Sequence, residues 1–64
     1  MNELDVVKLI KNYESFSIGT EGTIVAKYND DYYCVELFNS NGETIGLIDV
    51  DKTYIKLIES MDNK

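Results

Sequence analysis

The sequence predicts an all-β fold: a small five-stranded antiparallel barrel or half-barrel with a single helical turn before the last strand. Three observations carry this expectation. The chain has 64 residues, near the lower limit at which one apolar core holds a domain together. Its apolar residues fall in short runs, several alternating with period two and rich in β-branched and aromatic types. Clusters of Gly, Asn, Asp and Ser separate those runs by only a few residues, which leaves no room for crossover helices and implies antiparallel neighbours. One domain is expected, ordered over roughly residues 4–59.

The first element, "LDVVKLIKNY" (4–13), reads two ways. Leu4, Val7 and Lys8, or Val6, Leu9 and Ile10, stand at helical spacing, but the β-branched content and the β character of everything downstream favour a strand. "NYESFSIGTEGT" (12–23) reads as a compact loop in which Gly19 and Gly22 supply positive-φ positions. Strand two is "TIVAKY" (23–28), with Ile24, Ala26 and Tyr28 on one face and Thr23, Val25 and Lys27 on the other. "NDD" (29–31) makes a tight hairpin, since Asn and Asp satisfy their own backbone.

In "YYCVELF" (32–38), Tyr33, Val35 and Leu37 point one way, Cys34 and Glu36 the other. "NSNG" (39–42) is the clearest turn, because Asn41-Gly42 suits positive φ. "ETIGLIDV" (43–50) is strand four, "DKT" (51–53) a one-turn link, "YIKLIES" (54–60) strand five and "MDNK" (61–64) a frayed tail. The expected core is Val7, Leu9, Ile24, Ala26, Val35, Leu37, Leu47 and Ile55.

Composition removes several functions. There is no histidine, and all six basic residues are lysine, so the commonest general acid–base group is missing. Cys34, the one cysteine, cannot form an internal disulfide and sits in the acidic setting "DDYYCVEL", which raises a thiol pKa and argues for a structural or surface thiol. A chain this short has little wall for a glycosidase cleft around two carboxylates. "DVDKTYIKLIES" (49–60) begins like a calcium loop, but its sixth and twelfth positions are Tyr54 and Ser60 where Gly and Glu are needed. The Gly19/Gly22 loop lacks the Lys-Ser/Thr of a phosphate loop. No enzyme activity, cofactor or metal is expected. "MNELDVV" and the Lys8-broken run after it are neither a leader nor a membrane span, and the absence of disulfides fits the cytoplasm.

What stands out is charge. Residues 28–51, "YNDDYYCVELFNSNGETIGLIDVD", hold six carboxylates and no lysine, while the other 40 residues hold six carboxylates and all six lysines; the net charge of −6 therefore belongs to one stretch. A generally acidic, soluble surface explains scattered acids, but not this segregation. A nucleic-acid partner needs the opposite sign. Pairing of strands three and four would gather Asp30, Asp31, Glu36, Glu43, Asp49 and Asp51 beside Tyr28, Tyr32 and Tyr33. Acid with tyrosine is the composition expected of a surface that docks on a basic protein.

Four motifs add a resemblance: "LDVV" at 4–7, "GTEGTIV" at 19–25, "YCVEL" at 33–37 and "GETIGLI" at 42–48. Across roughly residues 4–58 the chain resembles a family of small bacterial SH3-like proteins classed only as a domain of unknown function. Members are often encoded beside toxins, which implies an antitoxin or immunity role. The expectation is a non-enzymatic protein that neutralises a basic toxin, a nuclease being the natural candidate because its cleft is built for polyanions. Two alternatives remain: an accessory SH3-like module of a larger enzyme assembly, and a nucleic-acid-associated barrel.

Overall fold

The computed structural model describes residues 1–60; the expected frayed tail at 61–64 lies outside the described residues. The chain is all-β, with five antiparallel strands in one sheet: β1 (Val6–Leu9), β2 (Glu21–Lys27), β3 (Tyr32–Phe38), β4 (Thr44–Asp51) and β5 (Ile55–Glu59). Their order is β4-β3-β2-β1-β5, so β1 to β4 form a meander and β5 returns to pair with β1. One 3-10 turn, Lys52–Tyr54, precedes β5, with Asp51 capping it by accepting from the Thr53 backbone N–H at 2.8 Å. The first element is the strand that β-branching favours, not a helix, and it is only four residues long.

The turns follow their residues. At the β2–β3 hairpin the Asn29 side chain accepts from the Asp31 backbone N–H at 2.8 Å. At the β3–β4 hairpin the Asn39 side chain accepts from the N–H groups of Asn41 and Glu43, and Gly42 alone takes positive φ, at 82°. Gly19 is the positive-φ glycine of the β1–β2 loop, at 97°. Gly22 is not a loop residue. It sits inside β2, where a Cβ would stand 2.6 Å from Val35 Cγ1 and 2.8 Å from the Glu36 carbonyl oxygen, so its role is close packing of β2 on β3.

The core is Val7, Leu9, Ile24, Tyr33, Val35, Leu37, Ile48, Val50 and Ile55, with every strand contributing. Two expected core positions are corrected. Ala26 leaves the core because β2 carries a bulge: Ile24 pairs with Val35, but the next partner of Cys34 is Ala26, which places Ala26 on the outer face. Leu47 is 64% exposed, and Ile48 and Val50 take the inner positions of β4. The physical reason lies in period two: Leu47, Asp49 and Asp51 share a face, and two carboxylates turn that face to water.

β4 and β5 are the two sheet edges and are not paired to each other. The β1–β2 loop reaches β4 and the 3-10 turn that leads into β5. Tyr13 meets Tyr54 edge-to-face at 5.8 Å and reaches the Asp49 carbonyl at 3.4 Å, while the Phe16 ring packs onto Gly46, where any Cβ would overlap it. This covers open sheet edge with aromatic surface.

The face assignment of β4 is testable by urea denaturation. Ile48→Ala should cost about 2–5 kcal/mol, while Leu47→Ser should stay within about 0.5 kcal/mol of the parent. The reverse ranking would mean that β4 is out of phase.

Candidate functional site

The outer face of β2–β3–β4 is built in rows by the register. Tyr32 stands opposite Asp51, Cys34 opposite Asp49 and Ala26, and Glu36 opposite Leu47 and Thr23. Tyr28 leaves β2 and returns to this face: its hydroxyl donates to Asp49 Oδ1 at 2.9 Å and its ring lies 6.1 Å from that of Tyr32. Both tyrosines are exposed, at 55% and 43%. Glu36 accepts from the Thr44 hydroxyl at 2.8 Å. Tyr28, Tyr32, Glu36, Asp49 and Asp51 therefore meet on one face, and neither β3 nor β4 contains a lysine.

The remaining expected site residues lie elsewhere. Tyr33 is corrected outright: it is 2% exposed, packed in the core, with its hydroxyl donating to the Asp30 carbonyl at 2.8 Å. Its neighbours in alternation, Val35 and Leu37, are core residues, and it follows them inward. Asp30 and Asp31 sit at the β2–β3 hairpin, where Lys27 lies 3.5 Å from Asp30 and Lys52 2.9 Å from Asp31. The stretch is free of lysine in sequence, yet the lysines that flank it fold back onto its ends. Glu43 is at the opposite hairpin, accepting from the Asn39 side chain at 3.0 Å. The acids thus run along the whole length of the β3–β4 unit instead of forming one knot.

Hydrogen bonding shapes the titration of the face. The bond to the Asp49 carboxylate, then the contact with the Cys34 thiol, push the Tyr28 phenol up to about 12. Burial raises the Cys34 thiol, and Asp49 adds to that, against a lowering contact from Tyr28. Cys34 is a buried, free thiol beneath this tyrosine–carboxylate pair, an environment that disfavours the nucleophilic thiolate. Asp51 is held below the usual carboxylate range by the Thr53 N–H it accepts. Its capping role occupies the third position of the calcium-like stretch, and the first, Asp49, is bonded to Tyr28. Among the described residues, no group of three or more His, Cys, Asp or Glu side chains is placed to hold a metal ion, and no helix is long and apolar enough to cross a membrane.

Residues 3–57 match a protein family described as a domain of unknown function, DUF4926. The chain belongs to the DUF4926 family. No curated protein and no solved structure matches it. Within this DUF4926 domain, two residues stand at the face that were not among the expected site residues, Tyr13 at its border and Leu47 within it. Tyr13 arrives from a loop, and nothing in its local sequence signals the contact with Asp49. Leu47 does carry a signal, its two-residue spacing from Asp49 and Asp51, which places it outside with them.

Alkaline titration tests the Tyr28–Asp49 pair. Because the folded pKa of Tyr28 lies above its ordinary value of 10.0, the bond contributes stability that is fully present below pH 10 and is lost as pH rises through about 12. Tyrosinate absorbance should include a phenol that ionises near the end of that window, and Asp49→Asn should bring it down towards 10.0. An unchanged titration in the variant would show that the carboxylate does not hold the phenol.

Proposed function

We propose that this DUF4926 chain is a non-enzymatic binding protein that docks on a basic protein partner and blocks it, as an antitoxin or immunity protein blocks a toxin. One observation carries the reading: Tyr28, Tyr32, Glu36, Asp49 and Asp51 share an exposed face made by two strands without lysine. Like charges held on one face repel, and a basic partner relieves that repulsion while the field steers its approach. Tyr28 and Tyr32 supply rigid amphipathic area of the kind that anchors interfaces. A nuclease is the partner whose cleft, shaped for phosphates, such a face imitates best. The cytoplasm is the compartment in which a protein with an unpaired cysteine would meet that toxin.

A second reading is favoured by the topology. A four-strand meander, a helical turn and a fifth strand returning to β1 agree with the SH3-like resemblance, and SH3-like modules also serve as accessory parts of larger assemblies. A nucleic-acid partner runs against the sign of the face.

The test is co-expression with the product of the neighbouring reading frame. Wild type should relieve growth arrest by that product, and the combined Glu36→Lys, Glu43→Lys and Asp49→Lys variant should not. Association of the purified pair should slow as salt rises, and the triple variant should associate at least about tenfold more slowly at low salt. Asp30→Lys with Asp31→Lys should have the smaller effect, since Lys27 and Lys52 already lie against those carboxylates. Equal rescue and equal rates for wild type and triple variant would overturn the proposal.

A further inference from the structure

The outer face does not stop at Glu36. Beyond it lies a cleft of about 560 Å³ between the loop at Ser17–Thr20 and the β3–β4 hairpin. Its apolar walls are Ile18, Phe38 and Ile45, and Glu21 stands in its lining. The register explains the gathering. Glu21 pairs with Phe38 across β2–β3, Phe38 pairs with Thr44 across β3–β4, and the irregularity beside Phe38 leaves Ile45 as the extra residue of β4. The loop wall is fixed by the Asn12 side chain, which accepts from the Ile18 backbone N–H at 2.9 Å, and by the Thr20 hydroxyl, which donates to the Ser17 carbonyl at 2.8 Å.

Two properties of this cleft are in tension. Ile18 is 62% exposed and Ile45 43%, so aliphatic surface that would gain by burial faces water. Yet carboxylates lie in or beside it: Glu21 in the lining, Glu36 joined to Thr44 on the adjoining row, and Glu43 held by the lining residue Asn39 at the hairpin. Among the described residues, no lysine lines the cleft. The nearest basic neighbour by register is Lys8, across β1–β2, on the side of Glu21 away from Phe38. An occupant that satisfies both properties must be apolar along its length and positive at its end. Arginine fits better than lysine, because its guanidinium is weakly hydrated, planar enough to lie on an aromatic ring, and forked towards carboxylates.

We propose that this cleft seats an arginine side chain of the basic partner, its methylene stem along Ile18, Phe38 and Ile45 and its guanidinium at Glu21 and the neighbouring carboxylates. The inference deepens the proposed function and rests on it for the basic partner. It makes the cleft the apolar anchor of a surface whose remaining length is electrostatic. The acidic face would then govern the rate of encounter and the cleft the lifetime of the complex.

The probe is a capped Gly-Arg-Gly peptide, compared with its lysine, citrulline and norleucine counterparts, followed through the side-chain resonances of the isotope-labelled protein. Citrulline keeps the shape of arginine without its charge, and norleucine keeps an apolar stem alone. The arginine peptide should move the methyl signals of Ile18 and Ile45 saturably, with lysine weaker and both neutral peptides at least roughly tenfold weaker. Glu21→Gln, at an exposed position, should erase the advantage of arginine over citrulline without altering the fold. Equal responses to arginine and citrulline would overturn the proposal. So would an arginine response confined to Tyr28, Tyr32 and Asp49, which would leave the acidic face standing as the basic-partner surface. An arginine peptide that moves neither region would remove the cleft and the acidic-face reading together.

Discussion

The alternation of β3, paired on both sides, is the constraint on which the rest of the molecule depends. Tyr33, Val35 and Leu37 must point to one side and Tyr32, Cys34 and Glu36 to the other, because successive Cβ atoms in a strand face opposite ways. The inner set joins Ile24 from β2 and Ile48 and Val50 from β4 to make most of the core. The outer set meets Ala26, Leu47, Asp49 and Asp51 to make the acidic, tyrosine-bearing face. Core and face are two sides of the same pairing, so neither can change register without the other. A one-residue slip would bury Glu36 and Asp49 and expose Val35 and Val50, exchanging a well-packed interior for uncompensated buried charge.

A small sheet with two free edges needs something over its mouth, and here aromatics from outside the strands do that. Tyr13 and Tyr54 meet edge-to-face, Lys11 lies 5.0 Å from the Tyr54 ring centroid, and Phe16 occupies the space left by the missing side chain of Gly46. The two glycines inside strands answer the same need for close approach, Gly22 to β3 and Gly46 to Phe16. With no disulfide and no large core, these contacts complete the apolar packing that holds so short a chain. They also bring a loop residue, Tyr13, to the Asp49 carbonyl at the border of the outer face.

The acids are arranged unevenly along that face. At the β2–β3 hairpin they lie against Lys27 and Lys52; in the middle, Asp49 is tied to Tyr28; towards the β3–β4 hairpin, the partners of Glu36 and Glu43 among the described residues are neutral, Thr44 and Asn39. The field therefore weakens at one end and persists at the other, where the exposed aliphatics Ile18, Ile45 and Leu47 also lie. Negative potential beside exposed apolar surface supports the reading that this end makes the closer contact with a partner.

The sequence by itself determined the all-β class, the five strands in order, the turns at Asn29–Asp31 and Asn39–Gly42, the one-turn link before the last strand and six of the eight expected core residues, because each rests on local patterning of neighbours two to four positions apart. It also showed the acidic stretch and, from motifs along most of its length, a domain of unknown function. Only the tertiary structure decided that the bulge in β2 turns Ala26 outward, that Lys27 and Lys52 fold back onto Asp30 and Asp31, and that Tyr13 and the Ile18 loop reach β4 or its hairpin. Bulges, strand register and loop-to-strand contacts are set by the competition of many packed side chains at once, and no short window of residues contains that competition.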